Sequence, residues 1–462
     1  MRRGLWACVL GLGLCGAQAG AQVVELTRPE ALQLARALYL DGDLSLANTI
    51  ARRLVEADPD DVEALLILSA SEEALGNPQA AQEFGRRAWE AAARAGRAAA
   101  LRYEIARQTA HAAMSAERTL AAQLWLRRAL TVAPHPEQMA QTRRDLDYVR
   151  VNSPLQANLS FQISPTTNLN GGSNTDLFMV DDLIIGTLAG WSEAQPGVIG
   201  VANLDLIYAL PGARDRLGVN LTEVRHLLTP AAAAANPDLD ARDLDQRSVV
   251  LRYEHDFEMP QMNNPARLTL SGAQSWMGSW AENTPLGLSA RAQIEVSLLS
   301  SAQSALMLTG IAERQWQGGL SGNVDGLSFG LAATRHMADP GAVLQLGLTG
   351  NLLRSAWSNT TYDEAQVTLG YFPDKPIGAV NWSVMLTAGV KDFPVYSLFS
   401  GVNVTKGRQD YSLGANLTLA PAAVSIAGMT PYVTFSQLDS WSNVSRNDTQ
   451  SLSMSLGLSK EF

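Results

Sequence analysis

The last twelve residues, Ser451-Leu452-Ser453-Met454-Ser455-Leu456-Gly457-Leu458-Ser459-Lys460-Glu461-Phe462, decide the fold. Leu452, Met454, Leu456, Leu458 and Phe462 share one parity, and Ser451, Ser453, Ser455 and Ser459 hold the other. Side chains alternate across a strand with a period of two, so this segment is a strand with one apolar face and one hydroxyl face. The same pattern recurs upstream. Leu344, Leu346, Leu348 and Leu352 alternate with Gln345, Gly347, Thr349 and Asn351. Val380, Trp382, Val384, Leu386 and Val390 alternate with Asn381, Ser383 and Thr387, and Leu155, Leu159, Phe161 and Ile163 with Gln156, Asn158, Ser160 and Gln162. A face of Ser, Thr, Asn, Gln and Gly is too polar to be half of a sandwich core. It suits a neutral, water-filled lumen, with the apolar face turned to lipid. A sheet in lipid must also close, because unpaired edges are too costly there.

About fourteen such strands are expected, an even number as in single-chain outer-membrane barrels. They start near Leu155, Val198, Arg216, Arg247, Arg267, Leu286, Ser304, Leu327, Val343, Asp363, Val380, Asp410, Tyr432 and Ser451. Short turns such as Pro211-Gly212-Ala213, Ala338-Asp339-Pro340-Gly341, Pro373-Asp374-Lys375-Pro376 and Pro421-Ala422-Ala423 alternate with longer loops around 165–196, 229–245, 392–406 and 439–449. This asymmetry is that of an outer-membrane barrel. Both ends of the barrel then fall on the short-turn side, which places whatever precedes it in the periplasm.

Upstream of Asn152-Ser153-Pro154 the chemistry changes. Charged residues make up about 26% of positions 22–150 but about 14% of 151–462. The first part is rich in Ala, Leu, Arg and Glu at helical spacing, and it repeats. Gly42-Asp43-Leu44-Ser45-Leu46-Ala47 aligns with Gly76-Asn77-Pro78-Gln79-Ala80-Ala81, and Arg52-Arg53 with Arg86-Arg87, at an offset of 34 residues. That is the tetratricopeptide period, two antiparallel helices about a turn. A third copy at Ala122, Trp125 and Arg127-Arg128 carries an insertion, and Pro59 and Pro134 each follow a second helix. Stacked helix pairs leave a concave groove that binds peptide or protein; a plain helical spacer is the alternative.

The start of the chain reads as a secretory signal over 1–21. Arg2 and Arg3 precede the apolar stretch Gly4 to Cys15, and Ala17-Gln18-Ala19 or Ala19-Gly20-Ala21 offers a cleavage site. A lipoprotein signal using Cys15 fits poorly, because the bulky Leu14 precedes it. Both cysteines of the chain, Cys8 and Cys15, fall in this segment, so the mature protein has no thiol chemistry. The net charge of -10 argues against nucleic acid as a partner.

Catalytic and metal signatures are lacking. His111, His135, His226, His255 and His336 are scattered, without ligand spacing. No phosphate loop, Gly-x-Ser-x-Gly elbow or Cys/His pair is present, so neither an enzyme nor a cofactor is expected. Asp238, Asp240, Asp243 and Asp245 lack a calcium-loop glycine and terminal Glu, and read as a solvated loop. Trp191, Trp276, Trp280, Trp316, Trp357 and Trp441 lie near strand ends or loops, as interface anchors do. The apolar segment from Leu177 through Phe178 to Trp191 has two placements open, in the lumen as a gate or over the barrel rim.

The terminal Phe462, with Gly457 in Ser455-x-Gly457-x-x-Lys460-x-Phe462, resembles the strand signal read by the barrel-assembly machinery; Lys460 stands where an apolar residue is usual. The fold class is therefore two-domain α + β: 22–150 as tetratricopeptide-like α-helical repeats, then 154–462 as an antiparallel transmembrane β-barrel. This architecture resembles the surface lipoprotein assembly modifier (Slam) family. The opening of the barrel, Leu159-Ser160-Phe161-Gln162-Ile163-Ser164-Pro165-Thr166-Thr167-Asn168-Leu169-Asn170, is similar to the family pattern in Phe161, Pro165, Asn168 and Asn170. Pro431, in Gly428-Met429-Thr430-Pro431-Tyr432, is similar to a late-barrel motif. The resemblance implies a helper pore: the repeats capture a periplasmic client, a surface lipoprotein or a secreted haem- or metal-scavenging protein, and the barrel gives it a route outward. Its other partners would be the barrel-assembly machinery and outer-membrane lipid. Exopolysaccharide export channels also join repeats to a barrel, with longer arrays, while a general pore has no use for repeats.

Overall fold

The computed structural model describes residues 26–460 apart from 213, 260–263, 280–283, 318–321, 339–340, 400, 423, 425 and 427–428. The signal segment, Trp280 and Phe462 lie outside the described residues. The chain divides into two units between Ser153 and Pro154.

The first unit is helical: α1 (Arg28–Asp41), α2 (Leu44–Ala57), α3 (Val62–Ala74), α4 (Pro78–Arg94), α5 (Ala99–Ser115), α6 (Thr119–Val132) and α7 (Pro136–Val151). Three hairpins, α1/α2, α3/α4 and α5/α6, precede the single helix α7. Gly42 (φ 88) and Gly76 (φ 83) make the left-handed turns inside the first two hairpins, where a residue without Cβ carries no penalty. In the third hairpin Glu117 holds the same turn at φ 58. The insertion is spread over α4 and α5, each 17 residues long, and their connection. Helix starts are fixed by side chains: Asp43 accepts from the Leu46 amide and Asp61 from the Ala64 amide. Asp61 is buried and also takes a bidentate pair from Arg28 at 2.7 Å to each oxygen, tying α1 to α3. Small residues allow close packing; Ala47, Ala81 and Ala122, equivalent in the three copies, are all fully buried. Two apolar clusters result, joined where Trp89 meets Trp125 edge to face at 5.9 Å.

The second unit is a closed barrel of fourteen antiparallel strands. They are β1 (Leu155–Thr166), β4 (Gly197–Ala209), β5 (Asp215–Leu228), β6 (Gln246–Met259), β7 (Asn264–Met277), β8 (Thr284–Ser300) and β9 (Ser304–Gln317). Then follow β10 (Asn323–Met337), β11 (Ala342–Ser355), β12 (Tyr362–Pro373), β13 (Val380–Phe393), β16 (Arg408–Pro421), β17 (Met429–Ser442) and β18 (Thr449–Lys460). Each starts within about four residues of its expected position, because parity and turn residues locate strands well. Two small hairpins stand in the loops: β2 (Leu177–Val180) with β3 (Leu183–Thr187), and β14 (Ser397–Phe399) with β15 (Val402–Asn403). The last long loop is shorter than expected, spanning only 443–448, because β17 runs on through Trp441 to Ser442.

The strands are 12 to 17 residues long, enough to cross a bilayer when tilted. Leu159, Phe161, Ile163, Leu348, Val367, Leu386, Leu413 and Leu456 point outward and are well exposed. So large a continuous apolar belt would not be tolerated in water. It identifies a membrane-spanning barrel of the outer-membrane type. Among the described residues no helix is long and apolar enough to cross a membrane. Exterior ion pairs stand near strand ends and mark the edges of the belt. Arg225–Glu223 (2.6 Å) and Arg354–Asp363 (2.5 Å) lie toward the long loops, and His255–Asp215 (2.7 Å) toward the short turns.

The lumen wall carries charged residues, contrary to the sequence expectation of an uncharged polar face. Strand parity gives the inward face of β4–β7 the residues Asp205, Arg216, Arg252, Glu254, Asp256 and Arg267. Arg252 pairs with Asp205 (2.8 Å) and Glu254 (2.9 Å). Arg216 pairs with Glu254 (2.9 Å) and Asp256 (2.7 Å), and Arg267 with Asp256 (2.7 Å). Three cations thus match three anions along the wall. The low average charge of this half concealed them, because they are concentrated on four neighbouring strands. The inward faces of β10, β11, β12 and β16 carry many small or hydroxyl residues, among them Gly330, Gly347, Thr349, Thr368 and Ser412; charge returns toward the long loops, where Lys391 pairs with Glu364 (3.3 Å) and Arg408 with Asp410 (2.6 Å).

Candidate functional site

Helices α1, α3, α5 and α7 form one wall of the helical unit and enclose a groove of about 750 Å³. Tyr39 of α1 stands on one side, Ala70, Glu73 and Ala74 of α3 form the floor, and Glu137, Gln138 and Gln141 of α7 the far side. The middle is α5, where Tyr103, Arg107 and His111 recur every four residues with Glu104 and Gln108 beside them. Such spacing puts all five on one helix face. This pattern is visible in the sequence, but only once it is known which face of α5 is uncovered.

Four polar side chains of the groove, Glu73, Tyr103, Arg107 and Gln108, are fixed by their neighbours. Glu73 accepts from Gln108 (2.7 Å), from Ser115 (2.8 Å) and from the His111 ring. Arg107 is paired with Asp145 of α7, whose other oxygen takes a hydrogen bond from Gln141 at 2.9 Å. The Tyr103 hydroxyl meets Thr142 Oγ1 at 2.9 Å and the Gln138 carbonyl at 3.2 Å. These bonds hold α3, α5 and α7 in register, so the groove is a preformed surface. Arrays of helix pairs present partner proteins with a concave face of this kind.

The four residues at the opening of the barrel have separate tasks. Phe161 lies on the outer face between Ala202 of β4 and Leu458 of β18, and is exposed as a lipid-facing side chain should be. Pro165, four residues on, has no N–H, and the register toward β18 skips from Ile163 to Thr166. Asn168 is buried and folds the first loop, its amide reaching the Gly172 carbonyl (2.8 Å) and the Gln450 carbonyl (3.3 Å). Asn170 ties the beginning of that loop to its end, through the carbonyls of Trp191 (3.0 Å) and Glu193 (2.9 Å) and the Gln195 amide (2.9 Å). Gly172 passes so close to Glu193 that a Cβ would lie 2.3 Å from its carbonyl oxygen. Pro431 faces Leu458 near the start of β17.

The seam between β1 and β18 has a lock on its lumen side. Gln162 donates to Ser455 (3.1 Å), Ser164 meets Ser455 (2.8 Å) and Thr166 meets Ser451 (3.2 Å). Gly457 lies under the ring of Tyr432, whose hydroxyl continues to Gln162 Oε1 at 3.1 Å. Gly457 therefore has a packing role in the folded barrel in addition to its place in the terminal signal.

At the long-loop mouth the candidate gate residues separate. Phe178 of β2 packs with Phe393, Tyr396, Val404 and the fully buried Val444. Phe393 projects inward from β13, so the β2/β3 hairpin crosses from the β1 side over the mouth. Ser445 fastens it, donating to the Leu177 carbonyl (2.7 Å) and accepting from the Met179 amide (2.7 Å). Trp191 belongs to a single 3-10 turn, is 60% exposed and takes no part in this cluster. The acidic run is also corrected in one member: Asp245 is buried, bound by Arg225 (2.7 Å) and the His226 amide (2.7 Å), and so braces a strand end. Among the described residues no group of His, Cys, Asp and Glu is arranged to hold a metal ion.

No family model matches the chain, and no curated protein matches it. Similar solved structures fall on the two units separately. The N-terminal domain of stress-induced protein-1 from C. elegans shares 18% identity over 25% of this chain and 91% of that one, with a TM-score of 0.23. The Yersinia enterocolitica type III secretion translocator chaperone SycD shares 17% over 28% and 88%, with a TM-score of 0.24. A loop-deletion mutant of OmpT, an outer membrane protein of Vibrio cholerae, shares 7% over 66% and 99%, with a TM-score of 0.33.

Proposed function

We propose that this chain is an outer-membrane translocation factor of the surface lipoprotein assembly modifier kind. Its helical unit stands in the periplasm and captures a client, a surface lipoprotein or a secreted haem- or metal-scavenging protein. Its barrel then gives the client a way to the cell surface. The observation that carries this reading is the preformed groove of α1, α3, α5 and α7 on a chain that continues into a membrane barrel with a polar lumen. An ordinary pore has no use for such a groove. The bracketing roles of Asn168 and Asn170, in the segment resembling the family pattern, add support. No covalent step is involved; a groove binds and a pore conducts. Direction comes from folding or lipid anchoring of the client outside.

The test is deletion of residues 22–150 with the signal retained. The barrel should still insert, shown by its heat-modifiable migration on gels. Surface exposure of a lipoprotein encoded beside it, read by protease shaving of intact cells, should be lost. Undiminished exposure in that strain rejects the reading.

A further inference from the structure

The charges of the groove are unevenly satisfied, and this points to the chemistry of its occupant. Glu73 is saturated by Gln108, His111 and Ser115. The single arginine lining the groove, Arg107, is neutralised by Asp145. Glu104 of α5 and Glu137 of α7 are exposed at the groove surface, and among the described residues neither has an ion-pair or hydrogen-bond partner from its side chain. The groove therefore offers two uncompensated carboxylates, one on its central helix and one on its far side. Tyr39, Ala70 and Ala74 supply apolar surface beside them. A bound acidic segment would meet like charge at both points, at an unfavourable electrostatic cost. A basic segment would find a partner at each.

We infer that the groove takes an extended polypeptide segment carrying lysine or arginine side chains, with small or apolar residues between them. This rests on the reading of the groove as the capture site and specifies which part of a client it holds.

The experiment uses the full-length protein in detergent micelles and two fluorescein-labelled nonapeptides, (Ala-Lys-Gln)3 and (Ala-Glu-Gln)3. Wild type should bind the lysine peptide at least about tenfold more tightly, and added salt should weaken that binding. The double substitution E104Q/E137Q should bring the two affinities to within about threefold, and E104K/E137K should reverse the preference. Both residues are exposed, so the fold tolerates these changes, and an unchanged far-UV spectrum verifies it. Equal binding of the two peptides by wild type, or a lysine preference that survives E104K/E137K, overturns the inference. The two readings fail separately. Loss of client display on deletion of 22–150, with no charge preference, spares the function and sinks the specificity. A reversible preference with undiminished display does the opposite.

Discussion

The guanidinium of Arg252 lies across Gly218: a Cβ at that glycine would stand 2.6 Å from Nε. Arg252 projects from β6 and reaches over β5 to Asp205 on β4, and only a residue without a side chain leaves the path clear. Substitution G218V should push the arginine off Asp205 and leave that carboxylate without its cation. In a wall that still touches water the loss is about 1–3 kcal/mol, less than for a dry pair. The temperature at which the barrel loses its heat-modifiable band should fall in G218V and hold in G272A, where an added Cβ meets only the Ser289 carbonyl at an ordinary 3.7 Å. Equal behaviour of the two variants contradicts the arrangement.

Glu117 occupies the turn that Gly42 and Gly76 make in the other hairpins, at φ 58. A side chain there costs about 1 kcal/mol. E117G should therefore stabilise the helical unit by about 0.5–1 kcal/mol, seen as a higher midpoint in the helical signal on urea unfolding. A lower midpoint would mean that the Glu117 side chain contributes more than the turn costs.

Phe178, with Val180 beside it, packs the first loop against Phe393, Tyr396, Val404 and Val444 at the mouth. F178A should loosen the cap and raise single-channel conductance in planar bilayers about twofold, as removal of a hydrophobic constriction does. W191A should leave conductance unchanged, since Trp191 is outside the cluster. Identical traces for wild type and F178A would remove the hairpin from any gating role.

Glu30 receives hydrogen bonds from the hydroxyl (2.6 Å) and amide (2.8 Å) of Thr27, which hold its carboxyl below the usual carboxylate range. Because the native value is the lower one, the contribution to stability is present above the ordinary pKa of about 4.3 and fades as pH falls through the native value. The E30Q variant should be less stable than wild type at pH 6, with the gap between their helical melting temperatures closing below about pH 4. A gap that stays constant to pH 3 shows that the charge of Glu30 is not what caps α1.

The barrel was legible because its information is local: parity within a strand and turn residues between strands, as in Ser451 to Leu458, need no knowledge of neighbours. The helical hairpins were legible for the same reason, through Gly42, Gly76 and their offset. What could not be read depends on contacts distant in sequence. Asp205 and Arg252 sit 47 residues apart and meet only through strand register. Asp245 looked like one more acid in a loop until Arg225 and His226 closed on it. The groove needed four helices to be placed before Tyr103, Arg107 and His111 showed as a surface. Phe178 and Trp191 were equivalent as apolar loop residues, and only the position of Val444 separates them.

The fastening of the β2/β3 hairpin by Ser445 has a consequence for the order of assembly. The two partners are 268 residues apart, one in the first loop made and one in the last. Phe393, Tyr396 and Val404 offer Phe178 a surface earlier, but the hairpin is not fastened until this last loop reaches its place. The vessel's cover is therefore latched last, by the loop that leads into the final stave. The entropic cost of waiting is small, since loop closure grows only with the logarithm of length. Replacement of Ser445 by alanine would then leave a vessel with its walls intact and its lid unfastened.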